Sequence, residues 1–507
     1  MSLRLLTSGA SGALLIALIG VGGAGAGSDG SLAVGIASDE PFVTSDGGSS
    51  YYGALRTMDM STSRLVVVWH PENPTTIYDR RQLDRVIPTA QGDGVQPFFN
   101  VTQSVPWALS SPDNRAQFAA FLQILATAYP QVTQYVVGNE PNVTYFWRPQ
   151  FNDDGSARSP GDFVDLLARS YDALKAVNPS IEVTAGGLDS RGNDSPSAPS
   201  NVSISPTRFI AAMGQAYRAS GRARPLFDGV SFHPYPQSAK DPYTRSYAWP
   251  NAGVADLDRL KQAYWDAFHG TAQPTFEDGL RINLDETGWQ TAPPPDHAAA
   301  YSGTELNEAI DETAQAQIYG DLIRYLVCDP GVQDVLFYRL LDESDLARWQ
   351  SGLFRADGTP KPAADAVRQA VADTGGRCSG QPRMFQHSTS VIGARATFQI
   401  SRKPARATAF SFTITAEENA TVTGRIVRVP TPKGLSNAQR AALSSSFDRA
   451  TGSVASADGR VQARWSPVVK FPEHRLKPGW YVYAVKVSAE LNPERTSTFV
   501  SGAFRVG

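Results

Sequence analysis

Two glutamates, Glu140 and Glu286, have the residue type and the position that acid–base chemistry needs. Glu140 lies in the run Gly138-Asn139-Glu140-Pro141-Asn142, and Glu286 lies in the run Asp285-Glu286-Thr287-Gly288-Trp289. Each glutamate closes a short apolar run, and Pro141 disfavours helical geometry at Glu140, which predicts that a strand ends there. Two facing carboxyl groups can hydrolyse a glycosidic bond, one as proton donor and one as nucleophile or base, without a metal.

The elements that would position these glutamates are eight short apolar runs that alternate with amphipathic stretches. We predict strands at residues 32–37, 64–69, 95–101, 132–137, 182–186, 229–232, 281–285 and 335–340. This alternation is typical of an α/β protein with a parallel sheet, and eight units predict a closed (β/α)8 barrel, or TIM barrel. An open doubly wound sheet is the alternative, but no Gly-rich phosphate loop follows the first strand. In the barrel, the fourth and seventh strands would carry Glu140 and Glu286 to one rim.

Further candidates lie near the ends of the same strands. His233 and Tyr235 share a face of the sixth strand if the extended geometry continues, and a hydroxyl donated by Tyr235 would hold Glu286 ionised. Several aromatic residues at strand ends, among them Trp69, Trp289 and Tyr338, would suit a carbohydrate cleft. The alternatives are that a strand-end histidine is a satisfied structural group and that any one of these rings belongs to the core.

Other chemistries find little support in the sequence. Six scattered histidines without a His-x-x-x-His pattern predict no metal site, and no Gly-x-Ser-x-Gly follows a predicted strand. We therefore expect no cofactor. The net charge is −3 and the pI is near 6.1, with Lys and Arg scattered, so a nucleic-acid partner is not expected. We expect a monomer that binds carbohydrate.

The first 26 residues match an export signal. Arg4 supplies the positive start, residues 13–21 form the apolar core, and Ala24-Gly25-Ala26 fits a cleavage site. The alternative is a membrane anchor, but the apolar core is shorter than the ~20 residues that span a bilayer. We predict a secreted protein without stable membrane insertion after cleavage. Because export exposes thiols to oxidising conditions, Cys328 and Cys378, the two cysteines present, are expected to form a disulfide; two free thiols are the alternative.

The composition changes after residue 376, which divides the chain of 507 residues. We predict a barrel domain at residues 27–376 and an accessory domain at residues 380–507. Runs rich in β-branched and aromatic residues at 396–400, 409–414, 421–429, 461–465, 480–487 and 498–506 predict an antiparallel β-sandwich of the immunoglobulin or fibronectin kind. Residues 435–443 are predicted to form a short helix. The accessory domain could bind polysaccharide or could only cover the barrel.

At these residues the chain resembles the retaining glycoside hydrolases of clan A, whose barrels carry catalytic glutamates on strands four and seven. The resemblance covers residues 30–374, is closest to families 5 and 39, and depends on the Glu140 and Glu286 runs and on His233-Pro234-Tyr235. It implies that Glu140 is the acid/base, that Glu286 is the nucleophile, and that Asn139 binds the sugar hydroxyl beside the reacting carbon. His233 and Tyr235 would support the nucleophile.

The sequence departs from the family 5 pattern at two places. That pattern has an arginine within strand two near the site, whereas Arg64 opens the strand predicted here. Its strand-eight tryptophan is replaced by Phe337-Tyr338-Arg339. The hypothesis is a secreted retaining β-glycosidase that acts on a polysaccharide or oligosaccharide. The alternative is a non-catalytic carbohydrate-binding protein on a barrel scaffold.

Overall fold

Eight parallel strands close into a barrel in the computed structural model, which describes residues 30–399, 410–445, 447, 453–472 and 476–507. The strands are β1 (Ala33–Ala37), β2 (Thr62–Trp69), β3 (Gln96–Gln103), β4 (Gln134–Val137), β5 (Glu182–Asp189), β6 (Gly229–His233), β7 (Arg281–Thr287) and β8 (Val332–Tyr338). They pair in sequence order, and β8 pairs with β1, so the predicted TIM barrel is confirmed. The predicted signal peptide lies outside the described residues and stays a prediction.

Nine helices lie between or after the barrel strands within the described residues. They are α1 (Glu40–Val43), α2 (Ser49–Thr57), α3 (Arg80–Gly92), α4 (Pro112–Ala128), α5 (Ser159–Val177), α6 (Pro206–Ser220), α7 (Leu257–Phe268), α8 (Glu312–Leu326) and α9 (Pro362–Thr374). Local sequence explains their ends: Ser111 accepts a hydrogen bond from the backbone N–H of Asn114 at the start of α4, and Gly375, with a φ of +53°, ends α9.

Three strands of the barrel differ from their predicted bounds in ways that affect the site. β2 begins at Thr62, so Arg64 lies inside the strand instead of opening it. β7 continues to Thr287, so Glu286 is a strand residue and does not follow the strand. β8 ends at Tyr338, two residues before the predicted end. In each case the end of the strand is set by backbone pairing with the neighbouring strand. A run of apolar residues in the sequence does not show where that pairing starts or stops.

Two antiparallel sheets follow the barrel and confirm the predicted β-sandwich. The first contains β9 (Arg395–Gln399), β10 (Ser411–Thr415) and β13 (Val468–Lys470). The second contains β11 (Ala420–Val429), β12 (Ser453–Val461), β14 (Gly479–Ala489), β15 (Thr496–Val500) and β16 (Phe504–Val506). The predicted helix is α10 (Asn437–Ser445). The predicted strand at 461–465 is wrong, because β12 ends at Val461 and the chain then turns, with Arg464 at a φ of +62°.

Ion pairs join the sandwich to the barrel, and the one at Arg495 is buried. The guanidinium of Arg495, after β14, contacts Asp266 of α7 at 3.0 Å and also pairs with Glu418 of the sandwich. Arg208 of α6 contacts Glu490 at 2.9 Å. Because Arg495 is 3% exposed, its charge needs both carboxylates, and the two modules are held in contact on the α6–α7 side of the barrel.

A disulfide joins Cys328, which follows α8, to Cys378, which follows α9. The backbone N–H of Arg383 also donates to the carbonyl of Cys328 at 2.7 Å, which ties the connection to the sandwich onto the end of α8. Among the described residues, none of the helices has the length and apolar character that crossing a membrane requires.

Replacing both cysteines in a Cys328→Ser, Cys378→Ser variant is expected to lower the free energy of unfolding by about 2–4 kcal/mol, because the 50-residue loop is no longer restrained in the unfolded chain. Denaturant unfolding measures the change. The wild-type protein unfolded in dithiothreitol is the control and should match the variant. Equal stability of the variant and the oxidised wild type would contradict the bridge.

Candidate active site

The turn after β4 places Glu140 at the rim of the barrel. Gly138 has a φ of +83°, and Glu140 has a φ of +38°, a conformation that a residue with a side chain seldom adopts. The backbone N–H of Glu140 donates to the carbonyl of Gly187 in β5 at 2.8 Å, which holds this conformation. Glu140 is 9% exposed, so its carboxyl group lies in a largely protein environment.

Glu286 lies one residue before the end of β7, and two side chains hold its carboxylate. Nη2 of Arg64 lies 2.6 Å from Oε2, and the hydroxyl of Tyr235 donates to Oε1 at 2.8 Å. Arg64 comes from β2 and Tyr235 follows β6, so the contacts reach Glu286 from two other strands. A carboxylate with both oxygens bound in this way is ionised and fixed in orientation.

The imidazole of His233 approaches both glutamates through one atom, Nδ1. Its Nδ1 is 2.8 Å from Oε1 of Glu140 and 3.7 Å from Oε2 of Glu286. These two glutamate oxygens are therefore at most about 6.5 Å apart, the sum of the two distances. Inverting glycosidases separate their two carboxyl groups by ~6.5–9.5 Å, so the upper limit here only reaches the lower end of that range. The ~5–5.5 Å separation of retaining glycosidases lies within the limit.

A third carboxylate, that of Asp285, lies beneath the pair in the barrel interior. It is fully buried, and its Oδ1 lies 3.2 Å from Nε2 of His233, while Oδ2 lies 3.5 Å from Nη1 of Arg64. The hydroxyl of Ser231 also donates to it. Asp285 therefore fixes both cations that contact the rim glutamates.

The two glutamates have pKa values shifted in opposite directions. Burial raises the pKa of Glu140 to about 7, and the nearby charges of Asp189 and Glu286 add to this effect, although His233 opposes it. Burial would also raise the pKa of Glu286, but Arg64, His233 and the Tyr235 hydroxyl lower it below its ordinary value. Near neutral pH, Glu140 holds a proton for much of the time and Glu286 is a carboxylate.

His233 remains charged in this setting. Its burial would lower its pKa, but the charge of Glu286 and the contacts with Asp285 and Glu140 raise the pKa to about 10. The fully buried ring is therefore an imidazolium at neutral pH, and its Nδ1–H donates to Glu140.

A cavity of about 170 Å³ opens at Glu286. Its wall includes Asn139, Phe146 and Tyr338, together with Asp39 and Arg64. The Oδ1 atom of Asn139 is buried and has no hydrogen-bond partner, so it is available to a bound donor.

Trp349 lies beside the cavity wall in the loop after β8. Its ring centroid is 5.2 Å from that of Tyr235 and 5.7 Å from that of Tyr338, and the residue is 40% exposed. An exposed indole in this place offers an apolar face to a ligand beside Glu286.

Six of the residues that the sequence singles out come together at this site: Glu140, Glu286, Asn139, His233, Tyr235 and Tyr338. Of the two residues expected to support Glu286, Tyr235 donates a hydrogen bond to it, and His233 lies 2.8 Å from Glu140 and 3.7 Å from Glu286. Trp69 and Trp289 do not belong to the site, because both are buried and their indole N–H groups donate to the carbonyls of Pro74 and Asp241. They pack in the barrel core and have no face free for a sugar.

The sequence analysis missed the roles of Arg64, Asp285 and Trp349. A signal for Arg64 was present, since it adjoins the apolar run Leu65-Val66-Val67-Val68, and an arginine buried in a strand needs a carboxylate partner. Trp349 gave no comparable signal, because the loop that carries it is placed by contacts such as the Gln350 backbone N–H donating to Gln290.

Among the residues that the structure describes, no group of three or more His, Cys, Asp or Glu side chains is arranged to hold a metal ion. The carboxylates at the rim are instead held by Arg64 and His233.

No protein-family model and no curated protein sequence matches this chain. Structurally similar proteins of known structure include a family 39 glycoside hydrolase from Bacteroides cellulosilyticus WH2. The match has 16% sequence identity and a TM-score of 0.47, and it covers 87% of this chain and 81% of that chain. A monomeric β-xylosidase from Caulobacter crescentus CB15 has 15% identity, coverages of 91% and 96%, and a TM-score of 0.44. A GH5-4 broad specificity endoglucanase from Clostridium longisporum has 10% identity, coverages of 68% and 97%, and a TM-score of 0.45. These likenesses are too distant to assign an activity to this chain.

The position of His233 depends on a glycine in the neighbouring strand. A Cβ atom on Gly187 of β5 would lie 2.2 Å from Nε2 of His233 and 2.7 Å from Oγ of Ser231. Both distances are well below van der Waals contact, and the imidazole is held between Glu140 and Asp285.

A Gly187→Ala variant is expected to lose about 1–3 kcal/mol of stability, because the added methyl group forces His233 away from the glutamates. Denaturant unfolding measures the loss. Gly53→Ala is the matched control: Gly53 lies within α2 and a Cβ there meets no atom within 4 Å, so a gain of about 0.5–1 kcal/mol is expected. Stability unchanged at position 187 would show that the site tolerates a displaced His233.

Proposed function

We propose that this protein is a retaining glycoside hydrolase that cleaves the O-glycosidic bonds of a β-linked polysaccharide or oligosaccharide. One observation carries the proposal: Glu140 and Glu286 both lie near Nδ1 of one imidazolium, with the pKa of the first raised to about 7 and that of the second lowered. An acetal is cleaved by an acid and a nucleophile of this kind, and environments that separate the pKa values of two carboxyl groups assign their roles.

In the first step, the ionised Glu286 attacks the anomeric carbon while Glu140 gives its proton to the departing glycosidic oxygen. The bond between the carbon and that oxygen breaks, and an ester bond to Glu286 forms. Arg64 and Tyr235 hold the Glu286 carboxylate in a fixed orientation, so little reorganisation is needed before the attack.

In the second step, a water molecule attacks the same carbon and gives a proton to Glu140. The ester bond breaks and Glu286 leaves as a carboxylate, which restores the starting state. Two inversions at one carbon retain its configuration. The limit of about 6.5 Å between the glutamate oxygens supports this course, because inverting enzymes place a water molecule between the two groups.

The Glu286→Gln variant is expected to lose at least about a thousandfold in kcat with every glycoside, since the carboxylate that attacks the anomeric carbon is then missing. Glu140→Gln should lose about 10²–10⁴-fold with natural linkages and much less with an activated aryl glycoside, whose leaving group needs no proton. Release of aryl alcohol and of reducing ends measures these rates. Glu494→Gln, an exposed acid in the sandwich, is the matched control and should act as wild type.

The outcomes of this experiment separate the proposal from its rival. Wild-type activity in the Glu286→Gln variant would refute the assignment of the nucleophile. Calorimetric binding of oligosaccharides by the wild-type protein without any release of reducing ends would favour the carbohydrate-binding protein that does not cleave.

The pH dependence of kcat/KM is expected to be bell-shaped. Glu140 must be protonated in the first step, so activity should fall as pH rises through about 7. Glu286 must be ionised, and because its pKa is lowered, activity should fall only in the acid range below the usual value near 4.5. His233, with a pKa of about 10, does not titrate between these limits.

Arg64→Met removes the cation beside Glu286, so the pKa of Glu286 should rise and the acidic limb should move towards neutral pH. Arg64→Lys keeps a charge and should shift that limb less. Arg81→Met, an exposed position on α3, is the matched control. An acidic limb unchanged in Arg64→Met would contradict the role of Arg64.

A further inference from the structure

Asp39 lies on the cavity wall without an assigned role. It follows β1, its side chain is exposed to the cavity, and the same wall includes Arg64, Glu286 and Tyr338. Although Asp39 stands at the N-cap position of α1, its side chain makes no capping hydrogen bond to that helix. Its carboxylate is therefore not used to end the helix, which is the usual structural reason for an aspartate at such a place.

The oxygens of Asp39 are largely without partners. Oδ1 accepts one long hydrogen bond, 3.4 Å from the backbone N–H of Val66, whereas a carboxylate has about four acceptor sites. Within the part of the chain that the structure describes, the two nearby arginines form their ion pairs with other acids, Arg64 with Glu286 and Asp285 and Arg339 with Glu40 and Glu343. Desolvation by the surrounding protein raises the pKa of Asp39, although Arg64 opposes this.

Neutral hydrogen-bond donors suit this carboxylate better than an anion would. A sugar hydroxyl can donate to the free acceptor sites of Asp39, and a hydrogen bond to a charged acceptor is worth about 1.5–3 kcal/mol net, or roughly 10- to 150-fold in binding. Asp39 lines the cavity, so a ligand in the cavity can reach its carboxylate.

An anionic sugar would instead be repelled by the carboxylates on the cavity wall. The carboxylate of a uronic acid would approach Asp39 and Glu286, which both line the cavity. The nearest cations are already shared: Arg339 lies 3.8 Å from Glu40 and 3.6 Å from Glu343, so two carboxylates compete for one guanidinium. A carboxylate on the sugar would therefore be repelled by Asp39 and Glu286, which disfavours its binding.

We propose that Asp39 binds the hydroxyl groups of a neutral sugar unit in this cavity, and that the cavity therefore selects neutral glycosides over uronides. This inference rests on the proposed function, because the cavity that opens at Glu286 is where the reacting sugar would lie. It adds a substrate class and a specificity-determining residue to that function.

The test compares wild type and Asp39→Asn with neutral aryl glycosides and with their monodeoxy analogues. Asn keeps the shape but replaces one acceptor with a donor, so kcat/KM with the neutral glycoside should fall about 10- to 100-fold. Wild type should lose a similar factor when the hydroxyl that Asp39 binds is removed, and Asp39→Asn should lose little more with that analogue. A purely structural role would give equal losses for every analogue.

Asp113→Asn is the matched control, since Asp113 is an exposed aspartate in the first turn of α4. It should match wild type with all substrates. Thermal unfolding of both variants confirms that the folded protein is compared. An Asp39→Asn variant with unchanged kcat/KM on every neutral glycoside that wild type cleaves would overturn the inference and leave the proposed function standing.

The substrate class is tested on the same plates with aryl uronides. Cleavage of uronides as fast as neutral glycosides would overturn the selectivity and would still support a glycosidase. If wild type cleaves no glycoside, the proposed function fails, and calorimetry then decides the inference: weaker binding of a neutral methyl glycoside by Asp39→Asn supports it, and equal binding overturns it.

Discussion

The balance of buried charge at the barrel rim is the constraint on which the site depends. Three carboxyl groups, those of Glu140, Asp285 and Glu286, lie among two cations, Arg64 and His233. Buried charges are costly unless they are paired, so the five groups that these contacts join are neutral together only if one carboxyl group keeps a proton. Arg64 contacts Asp285 and Glu286 but not Glu140, and the proton therefore remains on Glu140, as its raised pKa reflects.

The barrel topology makes this arrangement possible with a few strand positions. In β7 the pairing register is irregular between Leu284 and Thr287, and the neighbours Asp285 and Glu286 both contact Arg64, with Asp285 fully enclosed and Glu286 nearer the rim. Strand β2 brings Arg64 across the barrel to both carboxylates. The absence of a side chain at Gly187 leaves the space that the imidazole of His233 fills. Moving any one of these strands by one residue would separate a charge from its partner.

The sequence was sufficient to predict the barrel and the positions of Glu140 and Glu286 at its rim, because eight alternating apolar runs and a carboxylate at the end of a strand are local signals. It was insufficient for Arg64, since a single register shift at the start of β2 decides whether that side chain faces the site. The positions of the aromatic residues were harder to predict than that of Arg64. Trp289 is buried by contacts with Tyr319 and Asp241, and Trp349 reaches the cleft on a loop, and neither result follows from a position in the chain.

The same charge balance explains how one residue could serve both steps of the proposed double displacement. When Glu286 becomes an ester, it loses its negative charge, while Arg64, His233 and Asp285 keep theirs. Two cations then face one carboxylate, and ionisation of Glu140 restores neutrality. The pKa of Glu140 must therefore fall after the first step, because the repulsion by Glu286 that helped to raise it has gone. Glu140 would hold a proton when an acid is needed and would lack one when a base is needed, and no movement of the backbone is required for the change.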